Sequence, residues 1–285
     1  LTCISVAILA RAQVLPSVSP ESAGFSVQRL ERIGQTLKQH VAQGKLPGAV
    51  FMVSRRGALV YSDAIGNLNK ALGKPMPKDA IFRIYSMTKP LVSVGAMILV
   101  EDGVMQLTDP VSKFLPEMKA LQVSLARGDP EFAKITYTTV AAESEMTVQD
   151  LLRHTAGLAY GELTQNAPVK EALLKAGLFK TDLEFDTRDL TPAEQVARLT
   201  KVPLAHQPGT VWEYSLASDL LGRVIEAASG RRLADFLAER LFGPLKMSDT
   251  GFRVPKEKLA RLAELRAAVD AHANIEVMAN SVVTG

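Results

Sequence analysis

The sequence predicts an α/β protein of the α+β kind, with an antiparallel sheet flanked by helices and a mostly helical subdomain at about residues 104–245. Three observations carry this. An amphipathic helix is followed at once by two β-rich runs around a tight turn, so the first layers are a helix on a sheet. Helical periodicity then dominates the middle of the chain. A 285-residue chain that is 47% hydrophobic and 22% charged can bury a large core and lacks the polar bias of disorder.

From Ser26 to Gln43, Val27, Leu30, Ile33, Leu37 and Val41 fall on one helical face, and Gly44 ends the run. After Pro47-Gly48, the stretch Ala49–Asn67 reads as an antiparallel hairpin about the turn Ser54-Arg55-Arg56-Gly57. Residues 80–85 are expected to be extended. A helix is expected from Ser86 to about Asp102, with Gly103 as its stop. Pro90 agrees, because a missing N–H costs least in a first turn. Leu91, Val94, Met97 and Ile98, widened by Val92, Leu99 and Val100, predict that this helix is buried. Thr147–Arg153 reads as a short helix with Thr147 and Asp150 forming a capping box, followed by the turn His154-Thr155-Ala156-Gly157-Leu158. Further helices are expected at Thr191–Thr200, at Ser218–Ala228 and from Arg231.

Several function classes lose support. The net charge of +3 is scattered apart from pairs such as Arg55-Arg56, a solvated surface with no nucleic-acid footprint. His40, His154, His206 and His272 are far apart and form no H-E-x-x-H pattern, so no metal and no cofactor is expected. Cys3 is the only cysteine, which removes a cysteine nucleophile and internal disulfides. Residues 1–12, an apolar run ending in Ala10-Arg11-Ala12, read as the remnant of an export signal, which makes a periplasmic or secreted protein the expectation. An apolar N-terminal strand is the competing reading, disfavoured by the Ser/Pro-rich stretch that follows. No apolar run is long enough for a membrane span, and the oligomeric state is not legible.

Ser86 and Lys89 lie one helical turn apart. A serine hydroxyl needs a base to become a nucleophile, and a lysine can serve if its surroundings favour proton loss. A helix opening at the serine would also offer free N–H groups to an oxyanion. A bare Ser-x-x-Lys is equally a capping serine beside a solvated lysine. No G-x-S-x-G occurs to support an α/β-hydrolase elbow.

The segments "YSMTKPLVSVGAMILVEDGVMQLTDPVSKFLPE", which begins at Tyr85, "LLRHTAGL" and "PGTVWEYSLASDLLGRVIEAASG" resemble the serine β-lactamase-like superfamily, and most nearly its family VIII carboxylesterases, over roughly Ser17–Phe252. The resemblance implies the β-lactamase/transpeptidase-like fold over residues 16–285 and a small ester or lactam as substrate. It implies Ser86 as the acylated nucleophile, Lys89 as its partner and Tyr214 as proton shuttle, with Tyr85 and Leu216 facing substrate. Where lactam-processing relatives carry asparagine this chain has Leu216, which favours esters with short apolar acyl groups. A β-lactamase, a D-alanyl-D-alanine carboxypeptidase or an inactive fragment of such a protein are the alternatives. His154 is expected to be structural and His206 to line a turn, while Glu213 and Asp219 either tune Tyr214 or are solvated. The relatives' third motif, Lys, His or Trp followed by x-Gly on a strand, is not recognisable, so closing C-terminal strands are expected to be lacking.

Overall fold

The structure, a computed structural model, describes residues 15–129, 134–179, 190–264, 269–270 and 273–274. The export-signal reading falls outside these residues, and the third-motif reading almost wholly so. The chain divides into two compact units, Leu1–Tyr85 with Phe242–Gly285, and Ser86–Leu241.

In the first unit, helix α1 (Val27–Ala42) starts where the Ser26 side chain accepts a hydrogen bond from the Arg29 N–H. It packs on strand β2 (Ala58–Asn69), which pairs antiparallel with β1 (Gly48–Arg55) and with the two-residue β3 (Lys74–Pro75) in the order β1-β2-β3. The hairpin is the one read from the sequence. Its two turn residues, Arg56 and Gly57, both have positive φ (51° and 75°), the twist that tight hairpins need. Leu68, Met76 and Ala263 form a buried cluster, and Ile81 pairs with Leu262, so the later segment is stitched to the sheet.

The second unit opens with helix α2 (Thr88–Glu101) and continues with a hairpin of β4 (Gln122–Asp129) and β5 (Lys134–Ala141). Then come α3 (Val148–Arg153), α4 (Ala167–Lys175), α5 (Pro192–Leu199), α6 (Ala217–Ser229) and α7 (Leu233–Leu237). Helix α6 is the centre of this packing. It buries Leu220, Leu221, Val224 and Ile225, each contributing roughly 1.5–3 kcal/mol of transfer free energy. It meets α2, α3, α5 and α7. At Gly95 of α2 an added methyl would lie 2.7 Å from Leu237 and 3.6 Å from Ile225, so this glycine lets the helices approach closely.

Two expectations are corrected here. Helix α2 carries apolar residues around most of its circumference, and its buried stripe is Val92, Gly95, Ala96 and Leu99, whereas Val94 and Met97 are exposed. Small residues set the contact face because they allow close approach, a choice that apolar periodicity does not weigh. The middle of the chain also contains the β4–β5 hairpin and α4, neither of which helical periodicity separates from the other elements.

Candidate active site

Helix α2 is entered through a single 3-10 turn, Tyr85–Met87. Ser86 lies within it and Lys89 in the first α-helical turn. Side chains at i and i+3 eclipse in 3-10 geometry. Accordingly Lys89 Nζ donates to Ser86 Oγ at 3.1 Å. Tyr85, just before the serine, is 60% exposed and has φ +43°, a left-handed backbone that costs a β-carbon residue about 1–2 kcal/mol. Strain of this kind gathers at functional positions.

Tyr214 arrives from the segment before α6, and its Oη stands 2.6 Å from Ser86 Oγ. Either hydroxyl can donate in that contact. Lys89 Nζ lies 4.6 Å from the centre of the Tyr214 ring and 5.7 Å from that of Tyr160, within cation–π range of both. Burial pushes the Tyr214 phenol up, but hydrogen bonds with Lys89 and Ser86 and the lysine's charge outweigh it, and the phenol is held below its ordinary value near 10.

What holds Tyr214 in place can be traced to a local sequence signal. The Thr147–Asp150 capping box is fully formed, with Thr147 Oγ1 accepting from Asp150 N at 3.2 Å and the Asp150 carboxylate accepting from Thr147 N at 2.9 Å. The box fixes where helix α3 begins, and His154 closes its other end as a left-handed cap with φ +58°. The His154 carbonyl accepts from Glu213 N at 3.0 Å, and its Nδ1 accepts from Ser215 N at 3.3 Å. The backbone is thus gripped on both sides of Tyr214. The imidazole also lies against the Tyr214 ring, with centres 5.0 Å apart. Burial and the Lys89 charge hold His154 below its ordinary pKa, which keeps Nδ1 free to accept.

His206, in the bend facing this turn, pairs through Nε2 with Glu213 at 2.6 Å. Leu216 is half-buried at the start of α6 and packs on a cluster of Ala159, Val169, Leu173, Val202 and Ala205. Two further side chains join the group. The Tyr160 ring lies 5.4 Å from that of Tyr214, and Asp219 stands in the first turn of α6. Asp219 keeps an exposed surface while neighbouring protein crowds its carboxyl. Burial raises its pKa, opposed chiefly by the Lys89 charge. Tyr160 is the member of the group that sequence reasoning misses, and nothing in its spacing of six residues from His154 identifies it.

The geometry joins Ser86, Lys89 and Tyr214 in one hydrogen-bonded array and leaves His154 supporting it from behind. Among the described residues no three His, Cys, Asp or Glu side chains gather as metal ligands, and no helix is long and apolar enough to cross a membrane.

Comparison with known proteins places this arrangement. Esterase EstB from Burkholderia gladioli is 35% identical over 222 residues, covering 78% of this chain and 51% of that protein. The solved structure of EstCE1, described as a hydrolase with promiscuous acyltransferase activity, is 28% identical with a TM-score of 0.67, covering 82% of this chain and 55% of the other. A family VIII carboxylesterase shares the fold at a TM-score of 0.56 and 18% identity, over 83% of this chain and 55% of that one. The chain spans about half the length of the curated relatives it matches. The fold is β-lactamase/transpeptidase-like, and the Beta-lactamase family model matches residues 33–282, a span that takes in α2, the His154 turn and Tyr214 together. On that match the chain belongs to the Beta-lactamase family.

Proposed function

We propose that the chain is a serine hydrolase that cleaves carboxylic esters with short acyl groups through an acyl-enzyme on Ser86. The observation that carries this is the convergence of Lys89 Nζ and Tyr214 Oη on one serine oxygen, at 3.1 and 2.6 Å. In the proposed reaction Ser86 Oγ attacks the ester carbonyl while its proton passes to Tyr214, whose lowered pKa makes the phenolate accessible. Lys89 balances that negative charge. N–H groups in the opening turn of α2, which lack helical acceptors, are donors for the oxyanion. Tyr214 then returns the proton to the departing alkoxide, and water attacks the acyl-enzyme by the reverse relay, releasing the acid.

The ester preference is supported by the sequence at Leu216, a position where the lactam-processing relatives it resembles carry asparagine, and by the name of the Burkholderia relative. Transfer of the acyl group to an alcohol in place of water is a second reading, favoured by the promiscuous acyltransferase activity ascribed to EstCE1. The test is labelling by a fluorophosphonate probe, run beside hydrolysis of p-nitrophenyl acetate and of a chromogenic cephalosporin. Labelling and ester turnover are expected, both lost in Ser86→Ala. Labelling that survives Ser86→Ala, or lactam turnover exceeding ester turnover, would overturn the proposal.

A further inference from the structure

Three short stretches meet around Tyr214, and each is bonded to the other two. The turn at residues 154–158 is stitched twice to the bend at residues 205–209, with Ala205 N donating to the Gly157 carbonyl at 2.7 Å and Gly209 N to the Thr155 carbonyl at 2.8 Å. The same turn holds the Tyr214 segment, since the Glu213 and Ser215 N–H groups both donate to His154. Side chains close the third side: His206 Nε2, from the bend, meets the Glu213 carboxylate at 2.6 Å. An ionised carboxylate only accepts, so the imidazole donates. The bend is also anchored away from this turn. Leu204 is bonded on both sides to β4, and the Gln207 side chain accepts from Glu143 N at 2.9 Å, just beyond β5.

Both backbone bonds of the Tyr214 segment end on one residue, which leaves the segment able to rock about His154. A third bond to a separately anchored stretch removes that freedom. The Tyr214 hydroxyl, 2.6 Å from Ser86 Oγ, tolerates little rocking, because a misplacement of about 1 Å can cost about 10²-fold in rate. We propose that His206 and Glu213 are a pair of positioning residues that close this frame and thereby hold the Tyr214 hydroxyl on Ser86 for the proton transfer. This rests on the reading of Ser86 as nucleophile and Tyr214 as its proton shuttle. The two side chains remain 33% and 21% exposed, and ion pairs open to water add little to global stability, so the effect of the pair falls on the site rather than on the fold.

The experiment uses the full chain and its Glu213→Ala, His206→Ala and His206→Gln variants, with p-nitrophenyl acetate as substrate. Each alanine variant is expected to lower kcat about ten- to a hundredfold with KM little changed. The double alanine variant should be no slower than the slower single one, as for residues that act as a unit. His206→Gln, whose amide nitrogen can donate to the same carboxylate, should recover much of the rate. Lys175→Ala, which removes an exposed pair with Glu171 at 2.8 Å on α4, should match the parent. A second readout is independent of turnover: ultraviolet difference titration of the tyrosines, with Tyr214→Phe in each background isolating the Tyr214 signal. Against the upward push of burial, bonds with Lys89 and Ser86 hold the Tyr214 phenol low. Loosening them should raise its titration in Glu213→Ala and equally in His206→Ala, which keeps the Glu213 charge in place. If the parent neither labels nor turns over ester, the esterase reading fails, and the Tyr214 titration still decides whether the pair holds the phenol. Parent-like kcat in both alanine variants would overturn this inference, as would losses that multiply in the double variant or a Tyr214 titration that does not move.

Discussion

Gly157 lies in the turn that carries His154, and Gly157→Ala tests whether that turn is as tightly held as the site requires. The residue has φ +78°, and an added Cβ would lie 2.2 Å from the carbonyl oxygen of His206 and 3.3 Å from Leu204. That oxygen cannot withdraw cheaply. Ala205 N donates to the Gly157 carbonyl at 2.7 Å, and Leu204 is bonded on both sides to β4, through Gln122 O at 2.7 Å and Ser124 N at 2.8 Å. The left-handed backbone costs alanine about 1–2 kcal/mol. Overpacking against fixed backbone adds about 1–3 kcal/mol. Against these stands a gain of about 0.4–1 kcal/mol from the stiffer unfolded chain. The net loss is about 1–4.6 kcal/mol, centred near 3, a large share of the roughly 5–15 kcal/mol that holds typical domains. Urea unfolding followed by fluorescence of the single tryptophan, Trp212, would read it as a midpoint lowered by about 1 M. Gly103→Ala is the control, since Gly103 has φ +72° with nothing within 4 Å of an added Cβ. It should show the backbone cost alone. If Gly157→Ala unfolds at the same urea concentration as Gly103→Ala, the clash with His206 is not what fixes this turn. Labelling of Ser86 should also slow in Gly157→Ala, because His154 and the backbone around Tyr214 would shift together.

Two further outcomes probe the same support. Thr147→Ala removes the acceptor of the capping box and should cost about 1 kcal/mol in urea unfolding, with Thr147→Ser close to the parent; equal stability of the alanine and serine forms would mean the box contributes nothing. His154 titrates below 6.5 in the folded chain, first because it is buried and then because Lys89 is near, so the unfolded chain binds its proton more readily. Its contribution is fully present above that pH and is lost as the pH falls through the folded value. In the parent, the urea midpoint should therefore drop on acidification from about pH 7 to pH 5, and less so in His154→Asn, which suits the left-handed position and does not titrate. Parallel pH slopes for the two proteins would remove His154 as the cause.

Local signals are the legible part of this fold. Thr147 announces its helix because a capping side chain bonds a backbone N–H only three residues away, and the hairpin about Arg56-Gly57 is set by its own turn. The Ser86–Lys89 pair is also local, one turn of one helix. Tyr214 needs more than spacing: it lies 128 residues from Ser86, and only the resemblance of its surrounding segment suggests the pairing. Without that aid the partners stay hidden. Tyr160 carries no signal, because its approach to Tyr214 and Lys89 joins three separate segments of the chain. The phase of α2 is obscured for a related reason. A helix with apolar residues around most of its circumference shows only a weak preferred face, and its neighbours α6 and α7 reveal that Gly95 and Ala96 mark the contact.

A lysine beside a serine is not by itself a base, since an exposed ammonium keeps its proton. What changes its use is a phenol 2.6 Å from the same oxygen, on backbone held at either side by bonds from Glu213 and Ser215 to His154 and with its ring against that imidazole. In the proposed reaction Lys89, facing the Tyr214 ring at 4.6 Å and hydrogen-bonded to Ser86, lowers the cost of charge on both oxygens as the proton passes between serine and tyrosine. The turn at His154 therefore matters as much as the Ser-x-x-Lys pair, because it converts a common residue spacing into a fixed three-group geometry.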